Sequence, residues 1–101
     1  IRDAFPVTPL HSTIITKRHF VSYFQCYKEE HDEIPIVLDT LKTELKILDE
    51  TITGFNIGMN IGKDAGQTIF HCHIHIIPRR QGDTSNPKGG VRGVIPLKQK
   101  Y

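Results

Sequence analysis

No apolar run in this chain approaches the roughly 20 residues a membrane-spanning helix needs, and no signal-peptide pattern precedes the first element. Cysteine is scarce: only Cys26 and Cys72 occur, without Cys-x-x-Cys or other paired spacing. That excludes a disulfide-built scaffold and reads as a cytoplasmic chain with free thiols. A net charge of +2 is too small to imply nucleic-acid binding. Acids nearly vanish after Pro78, where Asp83 alone stands against Arg79, Arg80, Lys88, Arg92, Lys98 and Lys100. That local excess suits an anionic small ligand, or equally a solvated basic tail. There is no internal repeat and no opening methionine. Ile1 to Phe5 already read as structured sequence, which suggests that upstream residues are absent. A chain of 101 residues is one domain at most. It buries only about two-thirds of its unfolded surface, so cover from a missing segment or a partner subunit would help it.

What is present reads as an α+β domain with an antiparallel sheet, one main helix and short helical turns. Ser12 to Thr16 is β-branched and predicts a strand, leading to Lys17-Arg18-His19. Residues 20 to 28 predict a loop or a short helical turn. Asp32-Glu33-Ile34-Pro35 looks like a helix start. Leu38, Leu41, Leu45, Leu48 and Ile52 then recur every three or four residues, one apolar helical stripe, ended by Thr53-Gly54. Phe55, Ile57 and Met59 alternate with Asn56, Gly58 and Asn60 as a half-buried strand. A short Gly-containing loop would join it, as a hairpin, to a strand from Thr68 to Ile77 ended by Pro78. Gly82 to Gly93 is loop, and Val94-Ile95-Pro96 a short edge segment. His31, among acids, should be solvated.

That last strand holds half of the six histidines, at His71, His73 and His75. Alternate strand residues share a face, about 6.6 Å apart, with Phe70, Cys72, Ile74 and Ile76 on the core side. Three readings are open. The rings could chelate a metal, although no acid flanks them on their own face. A neutral imidazole could attack phosphorus, given a partner that fixes its tautomer and donors for the phosphate oxygens. Gly66-Gln67-Thr68 just upstream offers such donors. The third reading is a histidine-rich strand facing solvent or a partner.

The run Ala65-Gly66-Gln67-Thr68-Ile69-Phe70-His71-Cys72-His73-Ile74-His75-Ile76-Ile77-Pro78-Arg79 resembles the signature of the histidine triad (HIT) family, His-apolar-His-apolar-His-apolar-apolar after Gly-Gln-Ser/Thr. Asp3 to His11, running on to Lys17-Arg18-His19, resembles the family's other landmark. The tail resembles a bacterial branch of hydrolases acting on dinucleoside polyphosphates. The resemblance implies that His73 is a nucleophile forming a covalent nucleotidyl-histidine at the α-phosphorus. It implies that His71 and His75 orient it and contact phosphate or leaving group, and that His11 completes the cluster. Gly66, Gln67 and Thr68 would contact phosphate, Asn60 would lie near the nucleotide, and Asp3 would hold ribose hydroxyls. A cationic His75 with Arg79 or Arg80 would favour transition-state charge. No metal or cofactor is required for the chemistry. Structural zinc, on cysteines with His19 and His71, is possible only in a fuller chain, since the family's N-terminal strand and helix are missing here. A homodimer is implied, without membrane or nucleic-acid partners. A nucleotide-binding regulatory module with little turnover is the alternative.

Overall fold

The computed structural model describes residues 1–101. A three-stranded antiparallel sheet has the order β1-β3-β2, from β1 (Ser12–Ile15), β2 (Ile52–Gly58) and β3 (His73–Arg80). The helix α1 (Lys28–Leu48) lies between β1 and β2 in sequence. Short 3-10 turns occupy Tyr23–Gln25, Lys63–Ala65, Gly90–Val94 and Pro96–Lys98. The β-branched run at Ser12–Ile15 forms its strand beside β3, pairing Thr13 with His75 and Ile15 with His73.

One face of β3 carries Ile74, Ile76 and Pro78, all buried. Leu45, Ile52, Ile74 and Ile76 form the core, flanked by Ile34, Leu38 and Leu41 of α1 and by Leu10, Ile14, Phe55 and Met59. The helical stripe therefore covers one side of the sheet, and the other side is left to the histidines.

Several boundaries differ from the sequence expectation. The helix starts at Lys28, because Glu30 Oε1 reaches back to accept the Tyr27 amide at 2.7 Å and also pairs with Arg18. Pro35 lies inside α1 rather than in its first turn; its missing N–H costs about 3 kcal/mol, which the buried stripe offsets. The helix stops at Leu48, where Asp49 Oδ1 takes the Thr51 amide and hydroxyl and turns the chain. Ile52 thus opens β2 instead of closing the helix, and Leu48 is exposed. Residues 59–72, not a short loop, connect β2 to β3.

Pro78 sits within β3 opposite Phe55. Its carbonyl accepts from Thr8 Oγ1 at 2.6 Å, away from β2. A residue's N and O share a side in an antiparallel strand, so the missing N–H falls where β1 has already ended. Residues 68–72 are not strand: the Cys72 amide donates to Phe20 O at 2.7 Å and pulls this stretch off the sheet. Phe70 is accordingly half exposed, while Cys72 is buried. Residues 94–96 join two 3-10 turns rather than forming an edge segment. His31 is only partly exposed, with its ring edge-on to Tyr23 at 4.7 Å.

Candidate functional site

Alternation along β3 places His73 and His75 on the face opposite the core, their ring centroids 5.0 Å apart. His71 lies just before the strand, yet lines the same cleft. This cleft, of about 510 Å³, also holds Asp3, Asn60, Gly66 and Thr68. Seven of the nine candidate residues are thus gathered in one opening. Gly66 adopts φ 91°, a left-handed conformation that ends the 3-10 turn at Lys63–Ala65 and that glycine takes without strain.

The hydrogen bonds fix the ring tautomers. A carbonyl oxygen can only accept, so His73 Nδ1, 2.8 Å from His71 O, carries the proton. His73 Nε2 then holds a free lone pair. His71 Nε2–H donates to Thr16 O at 2.7 Å by the same logic. His11 is buried behind the cleft. Its Nδ1 accepts the Val7 amide at 3.1 Å, so its Nε2 carries the proton and donates to His75 Nδ1 at 3.0 Å. His75 must then present an N–H at Nε2.

The charge on His75 is not the expected one. Burial, followed by the neighbouring His73 and His11, lowers its pKa below the usual histidine value, and Asp3 opposes this only partly. The ring is therefore neutral at pH 7. The unfolded chain takes that proton first, so acidification below about pH 6.5 erodes stability until the folded ring titrates as well. In Asp3→Asn the opposing carboxylate is gone, and His75 should titrate lower still. An NMR pH titration of the ring resonances checks this, and an unchanged or raised value counts against the assignment.

Arg79 and Arg80 also depart from expectation. Arg79 is held by Asp83 at 2.8 Å and by Asn56 at 2.7 Å, and Arg80 by Asp49 at 2.9 Å. Neither lines the cleft. The pairing is tight enough to hold the Asp83 carboxyl at about 2, chiefly through the Arg79 hydrogen bond.

Gln67 does not reach the cleft. It is buried, its Oε1 accepting from Gly62 N at 2.9 Å and its Nε2 donating to Val21 O and Ile69 O. It braces the loop that carries Gly66 and Thr68. Gln67→Ala strands three backbone groups and should cost about 1–3 kcal/mol, measurable by denaturant unfolding.

Asp3, His11 and His75 place a carboxylate oxygen and two ring nitrogens within 4.8 Å of one another, the one grouping a cation could use. The tautomers oppose it. A metal on His11 Nε2 needs a proton on Nδ1 and an acceptor facing that proton, but the Val7 N–H faces it instead. The zinc expectation also lacks ligands. His19 and His71 touch, with ring centroids 4.8 Å apart, but no cysteine or acid joins them into a set of three, and structural zinc takes four. Cys72 adds no second nucleophile, because burial above all pushes its thiol up to about 11.

Sequence reasoning missed Thr13 and Ile15, which line the cleft from β1 opposite His75 and His73. Strand alternation on β1 was the available signal. Ile1, Arg2 and Phe5 form another wall.

Residues 1–82 match the family model of the HIT domain. A bis(5'-adenosyl)-triphosphatase from Dictyostelium discoideum is 35% identical over 83 residues, 80% of this chain and 54% of that protein. The adenylylsulfatase HINT3 of Arabidopsis thaliana is 37% identical over 89 residues, 82% of this chain and 42% of that one. A crystal structure of a zinc-bound histidine triad family protein from Mycobacterium smegmatis superposes with a TM-score of 0.74 at 33% identity, covering 84% of this chain and 61% of that one. The chain spans about half the length of the curated relatives it matches.

Proposed function

The chain belongs to the HIT domain family, and from that premise we propose that it is a nucleotide hydrolase or nucleotidyl transferase working through a covalent nucleotidyl-histidine on His73. One observation carries the reading: His73 Nδ1–H is tied to His71 O at 2.8 Å, leaving the Nε2 lone pair on a ring that lines the cleft. Family relatives named as a bis(5'-adenosyl)-triphosphatase and an adenylylsulfatase support substrates with an adenylyl group, and nucleoside phosphoramidates fit the same chemistry.

His73 Nε2 forms a bond to the α-phosphorus as the bond to the leaving group breaks, and the electron pair departs with that group. Water then attacks the phosphorus, frees His73 and releases the nucleoside monophosphate. A proton taken from solvent by a departing amine is returned by the attacking water. The transition state spreads negative charge over oxygens, so positioned donors contribute most. The His75 Nε2–H, the Thr68 hydroxyl and the Asn60 amide supply them. Asp3, whose Oδ1 already takes the Phe5 amide at 2.8 Å, keeps Oδ2 for ribose hydroxyls. No step is routed through a metal. The homodimer belongs to the same reading: exposed Ile36, Ile47 and Leu48 on α1 and Ile57 on β2 are apolar surface of the kind an interface covers.

The test is incubation with an α-labelled diadenosine polyphosphate, a rapid alkaline denaturing quench, and mass spectrometry of the protein. A nucleotidyl adduct on His73 is the expected result. Nucleotide bound without adduct or released monophosphate makes the chain a binding module instead.

A further inference from the structure

Two stretches far apart in sequence lie against each other. The Cys72 amide donates to Phe20 O at 2.7 Å, and Gln67 Nε2 donates to Val21 O at 3.0 Å. Each stretch carries one of the two free cysteines, and their thiols hydrogen-bond to one another. We propose that Cys26 and Cys72 form an oxidative modification site, in which a peroxide closes them into an intramolecular disulfide that braces the stretch leading into the histidine strand. Nothing in this pairing depends on the reaction assigned to His73.

The surroundings divide the roles. Cys26 follows the 3-10 turn Tyr23–Gln25 and is partly exposed, so a small oxidant reaches it, whereas Cys72 is only 3% exposed. Burial, above all, raises both thiols above the ordinary cysteine value. The hydrogen bond between them acts in opposite senses. It favours the thiolate at Cys26 and opposes it at Cys72, whose thiol stands at about 11. Cys26 therefore ionises first, and the thiolate is the reacting form. Its sulfur bonds to one peroxide oxygen, the O–O bond breaks, and hydroxide leaves with the electron pair. Cys26 is then a sulfenic acid. The Cys72 sulfur gives up its proton and attacks the Cys26 sulfur. The S–S bond forms as the S–O bond breaks, and the second hydroxide leaves as water. Two thiols and one hydrogen peroxide become one disulfide and two waters. A thiol of high pKa is the stronger nucleophile once ionised, and a target already in contact compensates for how rarely that happens.

The bridge asks little of the core. An S–S bond of about 2.05 Å requires the two sulfurs to draw together, and Cys26 can supply the movement. It is the C-cap of a short turn, while Cys72 is held by its bond to Phe20. Between the two cysteines lie 45 residues, a loop long enough for its closure to restrict the unfolded chain strongly. The covalent tie would also reinforce the Cys72–Phe20 bond that draws residues 68–72 off the sheet. The carbonyl that holds the His73 Nδ1 proton belongs to His71, the residue just before Cys72.

The test treats the protein with hydrogen peroxide at mildly alkaline pH, blocks the remaining thiols under denaturing conditions, and maps the cysteine peptides by mass spectrometry. A Cys26–Cys72 linkage within one chain, removed by dithiothreitol, is the expected result. The oxidised protein should melt about 5 °C or more above the reduced one. Cys26→Ser should show no such rise under the same treatment, which separates the bridge from oxidation elsewhere. In Cys72→Ala, dimedone should trap the unpartnered sulfenic acid on Cys26. Thiols that stay free while a cysteine peptide treated alongside is consumed would overturn the site, as would a bridge formed only between chains. A linkage that leaves melting unchanged, or lowers it, overturns the bracing role. Dimedone found on Cys72 in Cys26→Ser overturns the assigned order of attack.

Discussion

His73→Ala should lower kcat/KM by ~10⁴-fold or more, as expected when a nucleophile is removed from a site whose remaining groups still bind and polarise the substrate. AMP should still bind, since Asp3, Asn60 and Thr68 stay in place around the cleft. The variant should fold normally. The His73 ring lies on the face opposite the core, and its one hydrogen bond in the structure goes to a neighbouring carbonyl. Steady-state kinetics with a diadenosine polyphosphate, paired with calorimetry of AMP binding, separates the two effects. Turnover surviving in the variant, or an adduct found on His71 or His75, would mean that the nucleophile has been misassigned. A loss of AMP binding equal to the loss of rate would instead make His73 a binding group.

Leu45→Ala should destabilise the fold by about 2–5 kcal/mol, the range for emptying a leucine site in a packed core. Leu45 is the one fully buried residue of α1, seated against Ile52, Ile74 and Ile76. Only 11 of 101 residues are buried, so little else can close over the void. Domains of this size have about 5–15 kcal/mol in hand, and this single change removes a large share of it. Thermal or urea unfolding measures the loss. A change within about 0.5 kcal/mol, the scale of surface substitutions, would mean that α1 is not anchored through this residue.

Patterns that repeat were legible in the sequence. The leucine spacing in residues 38–48 predicted α1, and alternation around Ile74 and Ile76 predicted which side of β3 enters the core. Patterns that depend on a distant partner were not. The start of α1 needs Glu30 to reach back to Tyr27 and across to Arg18, a contact no local propensity contains. Pro78 looked like a terminator because its N–H is missing, but the cost depends on which side of the sheet that N–H would face. The departure of His71 from the strand follows from one bond between Cys72 and Phe20, 52 positions earlier in the chain. At the site, residue types pointed to the cluster, but protonation did not follow from them. His75 reads as a cation beside two arginines in sequence, whereas in the fold burial neutralises it and carboxylates occupy the arginines. Gln67 looked like a ligand contact and proved to be a brace, since amide side chains serve both purposes and only burial tells them apart.

β3 is the middle strand of three, hydrogen-bonded along both edges and rooted in the interior by every second residue. Its middle, paired on both sides at His75 and Ile76, opens only with the entire sheet, whereas His73 at its start is paired on the β1 side alone. Amide exchange at Ile76 should therefore keep pace with melting of the whole molecule, while the stretch ahead of it, His73 included, is free to loosen at lower temperature.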